Sequence, residues 1–189
     1  MICATTIDGL RASRRILVLG PSGSGKTVLS GRLGKRLGLP VLHLDAHFWQ
    51  EGWLATPQTE WREIVCDLLG ADAWIMDGTY ESTLDLRLEV ADAVVLIERS
   101  RWRCLWNVVC RSFHYRKRAR PDAPPGQPLD RAFLGYIWRY PGRTRGLIEQ
   151  MLARHFRGLK IVLHGSGEID RLISALDVER TAYDTSMRG

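Results

Sequence analysis

The stretch Ile16-Leu17-Val18-Leu19-Gly20-Pro21-Ser22-Gly23-Ser24-Gly25-Lys26-Thr27 decides how this chain folds. Its first four residues are an unbroken aliphatic run, as a strand covered on both faces requires. Its last eight match G-x-x-x-x-G-K-[ST] in full. The glycines at 20, 23 and 25 let the backbone curl so that successive N–H groups point inward and form a nest for phosphate oxygens. The positive end of the helix that follows adds to the same spot. Lys26 is placed to reach the β- and γ-phosphates, and the Thr27 hydroxyl to ligate Mg²⁺. An ordinary Gly-rich turn between strand and helix needs neither residue after its last glycine. The segment therefore points to ATP and Mg²⁺ as cofactors, held on residues 20–27.

Outward from the loop, Val28, Leu29, Leu33 and Leu37 recur at helical spacing, and Gly38 with Pro40 marks a stop. Val41 to Leu44 reads as a second strand ending at Asp45. Trp61, Ile64, Val65, Leu68 and Leu69 form the apolar stripe of a helix packed on a sheet. Ala73 to Met76, Ala93 to Ile97 and Leu159 to Leu163 read as three further strands. Strands alternating with helical patterns predict an α/β fold with a parallel sheet, helices on both faces and ligands at the strand carboxyl ends. The predicted organisation is a flexible segment over 1–14, one domain over 15–177 and a frayed tail over 178–189. A long connection between the fourth and fifth strands begins as a basic, Trp-bearing helix from Arg101 to about Arg118, passes through ARPDAPPGQP and resumes as helix near Asp130. Such an insertion suggests an Arg-rich lid, placed at about 111–131.

Composition narrows the class. The chain has 189 residues, 45% of them hydrophobic and 25% charged, a globular balance that suits a single domain. No apolar run approaches the roughly 20 residues of a membrane span, and Met1 to Ser13 has no apolar signal core, so a cytoplasmic protein is expected. The four cysteines lack C-x-x-C spacing, against both zinc and a disulfide framework. The formal charge is +6, almost all from arginine, which favours anionic partners without separating a nucleotide from a polynucleotide.

Several residues outside the loop carry candidate chemistry. Asp77 ends an apolar strand, where a carboxylate holds Mg²⁺, or caps a turn with Gly78. Asp45 has a similar placement and is read either as the group that orients or deprotonates an acceptor hydroxyl or as a helix cap. Trp49 and Trp53 stack on a substrate ring or anchor their own loop. Among Arg111, Arg116, Arg118, Arg120, Arg139, Arg143 and Arg145, two or three are expected over the phosphates when the lid closes, the rest being solvated. The apolar side of the Arg101 helix, with Trp102, Leu105, Trp106, Val109 and Phe113, is expected in the core, the other reading being a basic amphipathic helix on a membrane surface.

The phosphate loop, HLDAHFWQEGW, WIMDGTY (74–80), RLEVAD (87–92) and FLGYIWRY (133–140) together resemble the adenylate-kinase-related P-loop proteins known as DNA topology modulation proteins, within the nucleoside and nucleotide kinase group. The resemblance implies a three-layer P-loop NTPase fold with a five-stranded parallel sheet in the order 2-3-1-4-5, and a Mg-nucleotide on the loop. It also implies Asp77 as the metal-linked carboxylate, Arg87 as a substrate-side arginine, and Arg111 and Arg120 as lid arginines. The chain departs from adenylate kinases at Asp77-Gly78-Thr79-Tyr80, where those enzymes have Gly-Phe-Pro-Arg, and at Glu98, where an Asp commonly ends the fourth strand. The expected activity is phosphoryl transfer from ATP to a small-molecule or nucleoside or nucleotide acceptor, in which Lys26, Asp45, Arg111 and Arg120 are catalytic and Asp45, Trp53 and Arg87 meet the acceptor. The alternative is a nucleotide-dependent, DNA-associated regulator without kinase activity. A monomer or homodimer with no membrane partner is expected under either.

Overall fold

In a computed structural model, residues 3–115 and 122–186 are described, with side chains through 177. The elements in chain order are α1 (Ala4–Ala12), β1 (Arg15–Leu19), α2 (Lys26–Leu37), β2 (Val41–His43), α3 (Leu44–Phe48), β3 (Trp49–Gln50), β4 (Leu54–Ala55), α4 (Gln58–Leu69), β5 (Trp74–Asp77), α5 (Leu84–Val90), β6 (Ala93–Glu98), α6 (Arg101–His114), α7 (Arg131–Arg139), α8 (Thr144–His155), β7 (Leu159–His164) and α9 (Ser166–Ser186).

Five strands form one parallel sheet in the order β2-β5-β1-β6-β7. The expected order 2-3-1-4-5 counted five strands. The structure adds β3 and β4, a two-stranded antiparallel hairpin outside the sheet, and these change the numbering of every later strand. Two residues per strand carry no detectable alternation, which is why the pattern predicted no hairpin there.

β1 lies centrally and alternates between two cores, as a strand must. Ile16 and Val18 pack with α1, α2 and α9 on one face, including Leu29, Leu33 and Leu172. Leu17 and Leu19 pack on the other with Trp61, Val65, Leu88 and Leu152. The three-layer α/β arrangement follows, and it brings the carboxyl ends of β1, β2, β5 and β6 to one rim. None of the described helices is long and apolar enough to cross a membrane.

Three expectations about elements need correction. The segment expected to be flexible over 1–14 contains α1, whose Ile7 and Leu10 are buried in the first core. Three-residue spacing puts both on one helical face, and two apolar residues suffice for docking although they form no long periodic run. At the other end, α9 continues helical to Ser186, past the expected limit at 177. Finally, the core side of α6 is carried by Cys104 and Val108, whereas Trp102, Trp106 and Phe113 are 70%, 64% and 71% exposed. α6 packs on the loop side of the molecule and against α7 rather than flat on the sheet, so a narrow stripe is enough to bury it.

Candidate active site

The phosphate loop joins β1 to α2 with Gly20, Gly23 and Gly25 all at positive φ. Gly23 has no room for a side chain, since an added Cβ would stand 2.4 Å from the Cys104 carbonyl oxygen. The approach of α6 is fixed by Asn107, whose amide donates to the Gly23 carbonyl at 2.8 Å. From the other side Thr79 donates its hydroxyl to the Gly20 carbonyl at 2.9 Å. The loop is therefore braced by residues that sequence reasoning had not singled out.

Lys26 is folded back on the loop, donating to the Gly20 and Pro21 carbonyls at 2.8 and 3.0 Å. Burial pulls its ammonium below its ordinary pKa, while Asp45 and Asp77 oppose that shift. Thr27 donates to Asp122 at 3.0 Å, a buried carboxylate from the Pro/Gly-rich segment. Asp77 is almost fully buried and lies 2.9 Å from Nδ1 of His43. That hydrogen bond raises the His43 pKa, against partial desolvation.

A cavity of about 300 Å³ is walled by the loop together with Asp45, Asp77, Asn107 and Arg111. The Thr27 hydroxyl, Asp77 and nearby Asp122 are hard oxygen donors of the kind Mg²⁺ prefers, so the residues present fit that ion. Arg111 reaches the same place, donating to Ser22 Oγ at 3.3 Å and Gln127 Oε1 at 2.8 Å. Arg116, Arg118 and Arg120 lie outside the described residues. Arg139 and Arg143 are exposed, and Arg145 pairs with Glu98 at 2.6 Å.

A second cavity, of about 490 Å³, adjoins the first. It shares Ser22, Lys26, Asp45 and Gly78 with the first. Phe48, Trp49, Trp53, Tyr80, Phe133 and Tyr136 supply its rings, and Asp45, Glu81 and Asp130 its carboxylates. Asp45 is not a strand-end residue; it sits in the first turn of α3, and its Oδ1 accepts the Tyr80 hydroxyl at 2.7 Å. Tyr80 itself has φ +29, rare for a residue with a side chain. It is held there by Arg87.

Arg87 corrects the expectation of a substrate-side arginine. It is wholly buried and donates to four carbonyls, those of Gly78, Thr79, Tyr80 and Thr83. Burial pushes its guanidinium down to about 9, still well above neutrality. Its work is to fix the turn after β5. Trp53, at φ +62, is likewise tied elsewhere: its indole donates to the Pro125 carbonyl at 2.8 Å and its ring lies 5.4 Å from Trp49. Its ring still lines the second cavity. Tyr80 was legible only as a residue near a strand end, and nothing in its spacing pointed to Asp45.

A third cavity, about 580 Å³, lies beyond Pro21 along the ends of β6 and β7, with Arg103, Arg145 and residues 164–166 on its wall.

Comparison with solved structures accounts for this architecture. A shikimate kinase from Acinetobacter baumannii in complex with shikimate aligns over 93% of this chain and 98% of its own, with TM-score 0.59 and 16% identity. A shikimate kinase from Bacteroides thetaiotaomicron aligns over 90% and 99%, with TM-score 0.54 and 14% identity. The chain has a P-loop kinase fold. At these identities the likeness is one of fold alone. No protein-family model matches the chain, and no curated protein sequence does.

Proposed function

We propose that this P-loop kinase fold works as an ATP-dependent phosphotransferase on a small-molecule acceptor. One observation carries the reading: Lys26 and Asp45 stand on the common wall of the phosphate-loop cavity and an adjacent, ring-lined cavity. A phosphoryl group passing between two substrates has to cross such a wall. The fold neighbours, kinases by name, support it.

In this scheme the adenosine half of ATP lies in the third cavity, against residues 164–166, and the phosphates rest in the nest of residues 20–27. Thr27 and Asp77, with Asp122 close by, hold Mg²⁺, which supplies charge neutralisation on the phosphate oxygens. Lys26 exchanges its loop carbonyls for phosphate oxygens. Arg111 adds a second positive charge, with Arg120 and the rest of the 111–131 lid completing the clamp when it closes. Tyr80 holds Oδ1 of Asp45 and leaves the other oxygen for the acceptor hydroxyl. As the acceptor oxygen bonds to the γ-phosphorus, its proton passes to Asp45, the bond from phosphorus to the bridging oxygen breaks, and ADP leaves with that electron pair.

The test is ADP release from Mg-ATP with and without pooled hydroxylated metabolites, nucleosides and nucleoside monophosphates. Stimulation by one pool is expected, and Lys26→Ala should cut it roughly 10²–10³-fold, the usual effect of removing one transition-state donor. Full turnover in Lys26→Ala would overturn the assignment.

A second reading, a nucleotide-dependent DNA-associated regulator like the topology modulation proteins, is favoured by the exposed face of α6, where Arg101 and Arg103 flank Trp102 and Trp106. It predicts duplex binding that weakens steeply with salt. Flat anisotropy in a low-salt titration would remove it.

A further inference from the structure

The second cavity has a charge of its own. Three carboxylates stand on its wall, Asp45, Glu81 and Asp130, and among the described residues Lys26 is the only cation there. Lys26 already donates to two loop carbonyls and is committed to phosphate in the proposed reaction. Arg111 donates to Ser22 and Gln127 on the wall without lining the cavity itself, and Arg87 is fully buried with its nitrogens spent on backbone carbonyls.

The three carboxylates are not equivalent. Asp45 accepts the Tyr80 hydroxyl, and Asp130 caps α7 by accepting the Phe133 N–H at 2.7 Å. Glu81 has no hydrogen-bond or ion-pair partner among the described residues, yet it is only partly exposed and faces the cavity. Tyr136 lines the same cavity, and burial first, then the charges of Glu81 and Asp45, act to raise its phenol pKa. The same cavity is lined by the indole and phenol rings of Trp49, Trp53, Tyr80 and Tyr136, whose faces attract a cation.

We propose that the phosphoryl acceptor is a hydroxylated amine, a small polyol or amino alcohol bearing a protonated nitrogen. Its hydroxyl meets Asp45 beside Lys26, and its ammonium lies between Glu81 and the rings of Trp49, Trp53 and Tyr136. The amine takes no part in the bond changes; it orients the hydroxyl. This assignment rests on the phosphotransferase reading.

The experiment uses triplets of an amine, its N-acetyl form and an acid on a like scaffold: glucosamine, N-acetylglucosamine and glucuronate; ethanolamine, N-acetylethanolamine and glycolate. ADP release from Mg-ATP is measured for each with the wild-type chain and with Glu81→Gln, after a thermal scan with Mg-ATP confirms that the variant folds. In at least one triplet kcat/KM should be highest for the free amine, by about tenfold over its N-acetyl partner, the worth of one partly desolvated cation contact. Glu81→Gln should bring that ratio close to one. Preference for the neutral or acidic member, or an undiminished ratio in Glu81→Gln, would overturn the amine assignment and leave a kinase standing. Stimulation by the nucleoside or nucleoside monophosphate pools and by no amine would do the same. Mg-ATP binding with no stimulation by any compound would overturn both the kinase and its acceptor class.

Discussion

Tyr80 is the residue on which the candidate chemistry turns. Its phenol is mostly buried, its backbone sits at φ +29, and its hydroxyl reaches Asp45. Burial, then the charge of Asp45, pushes its pKa far above the ordinary phenol value, so it stays a donor at any pH the protein survives. A hydrogen bond to a charged group is worth about 1.5–3 kcal/mol. Tyr80→Phe keeps the ring and loses the donor, so kcat should fall roughly ten- to hundredfold with Mg-ATP affinity unchanged, as read by steady-state ADP release beside calorimetric titration. Arg87 supports the same turn from below. Replacing it by Leu strands buried carbonyls and should cost about 3 kcal/mol, seen as a fall in Tm of roughly 6–12 °C in scanning calorimetry. A far smaller fall would mean that those carbonyls find other partners.

At the scale of elements, α1 is the part whose role is least visible in its composition. It docks Ile7 and Leu10 on the face of the sheet that α2 and α9 also cover, and Arg11 donates to the Leu176 carbonyl at 2.9 Å, tying it to α9. Leu10→Ala should destabilise the protein by about 2–5 kcal/mol, the usual cost of emptying a fully buried leucine site. A denaturant midpoint that does not move would show α1 to be dispensable. α6 acts differently. Its Cys104 carbonyl closes the space over Gly23 and its Asn107 binds the Gly23 carbonyl, so it presses on the phosphate loop with two residues while exposing three large aromatic rings. An apolar stripe shows only that some face is covered; what covers it depends on the approach of other elements.

For the whole molecule, three cavities meet around one loop, and occupancy should register in global stability. Mg-ATP at about a hundredfold over its Kd adds about 2.7 kcal/mol to a fold that binds it only when native. That corresponds to a rise in Tm of roughly 5–11 °C, which chelation of the metal should diminish and Lys26→Ala should largely remove. No shift with Mg-ATP would count against nucleotide binding at the loop. The phosphate loop was legible because its chemistry is local: twelve consecutive residues specify the strand, the nest, the lysine and the threonine, and little in the tertiary structure could alter that. The α/β alternation was legible for the same reason, since each element writes its own period. The tertiary structure alone decided which polar groups meet. Asp45 finds Tyr80 35 residues away, Thr27 finds Asp122 95 residues away, and Arg87 turns inward to carbonyls instead of outward to a substrate. Those pairings depend on how strands and turns converge at one rim of the sheet, and a side chain's type and its neighbours in sequence carry no record of that convergence.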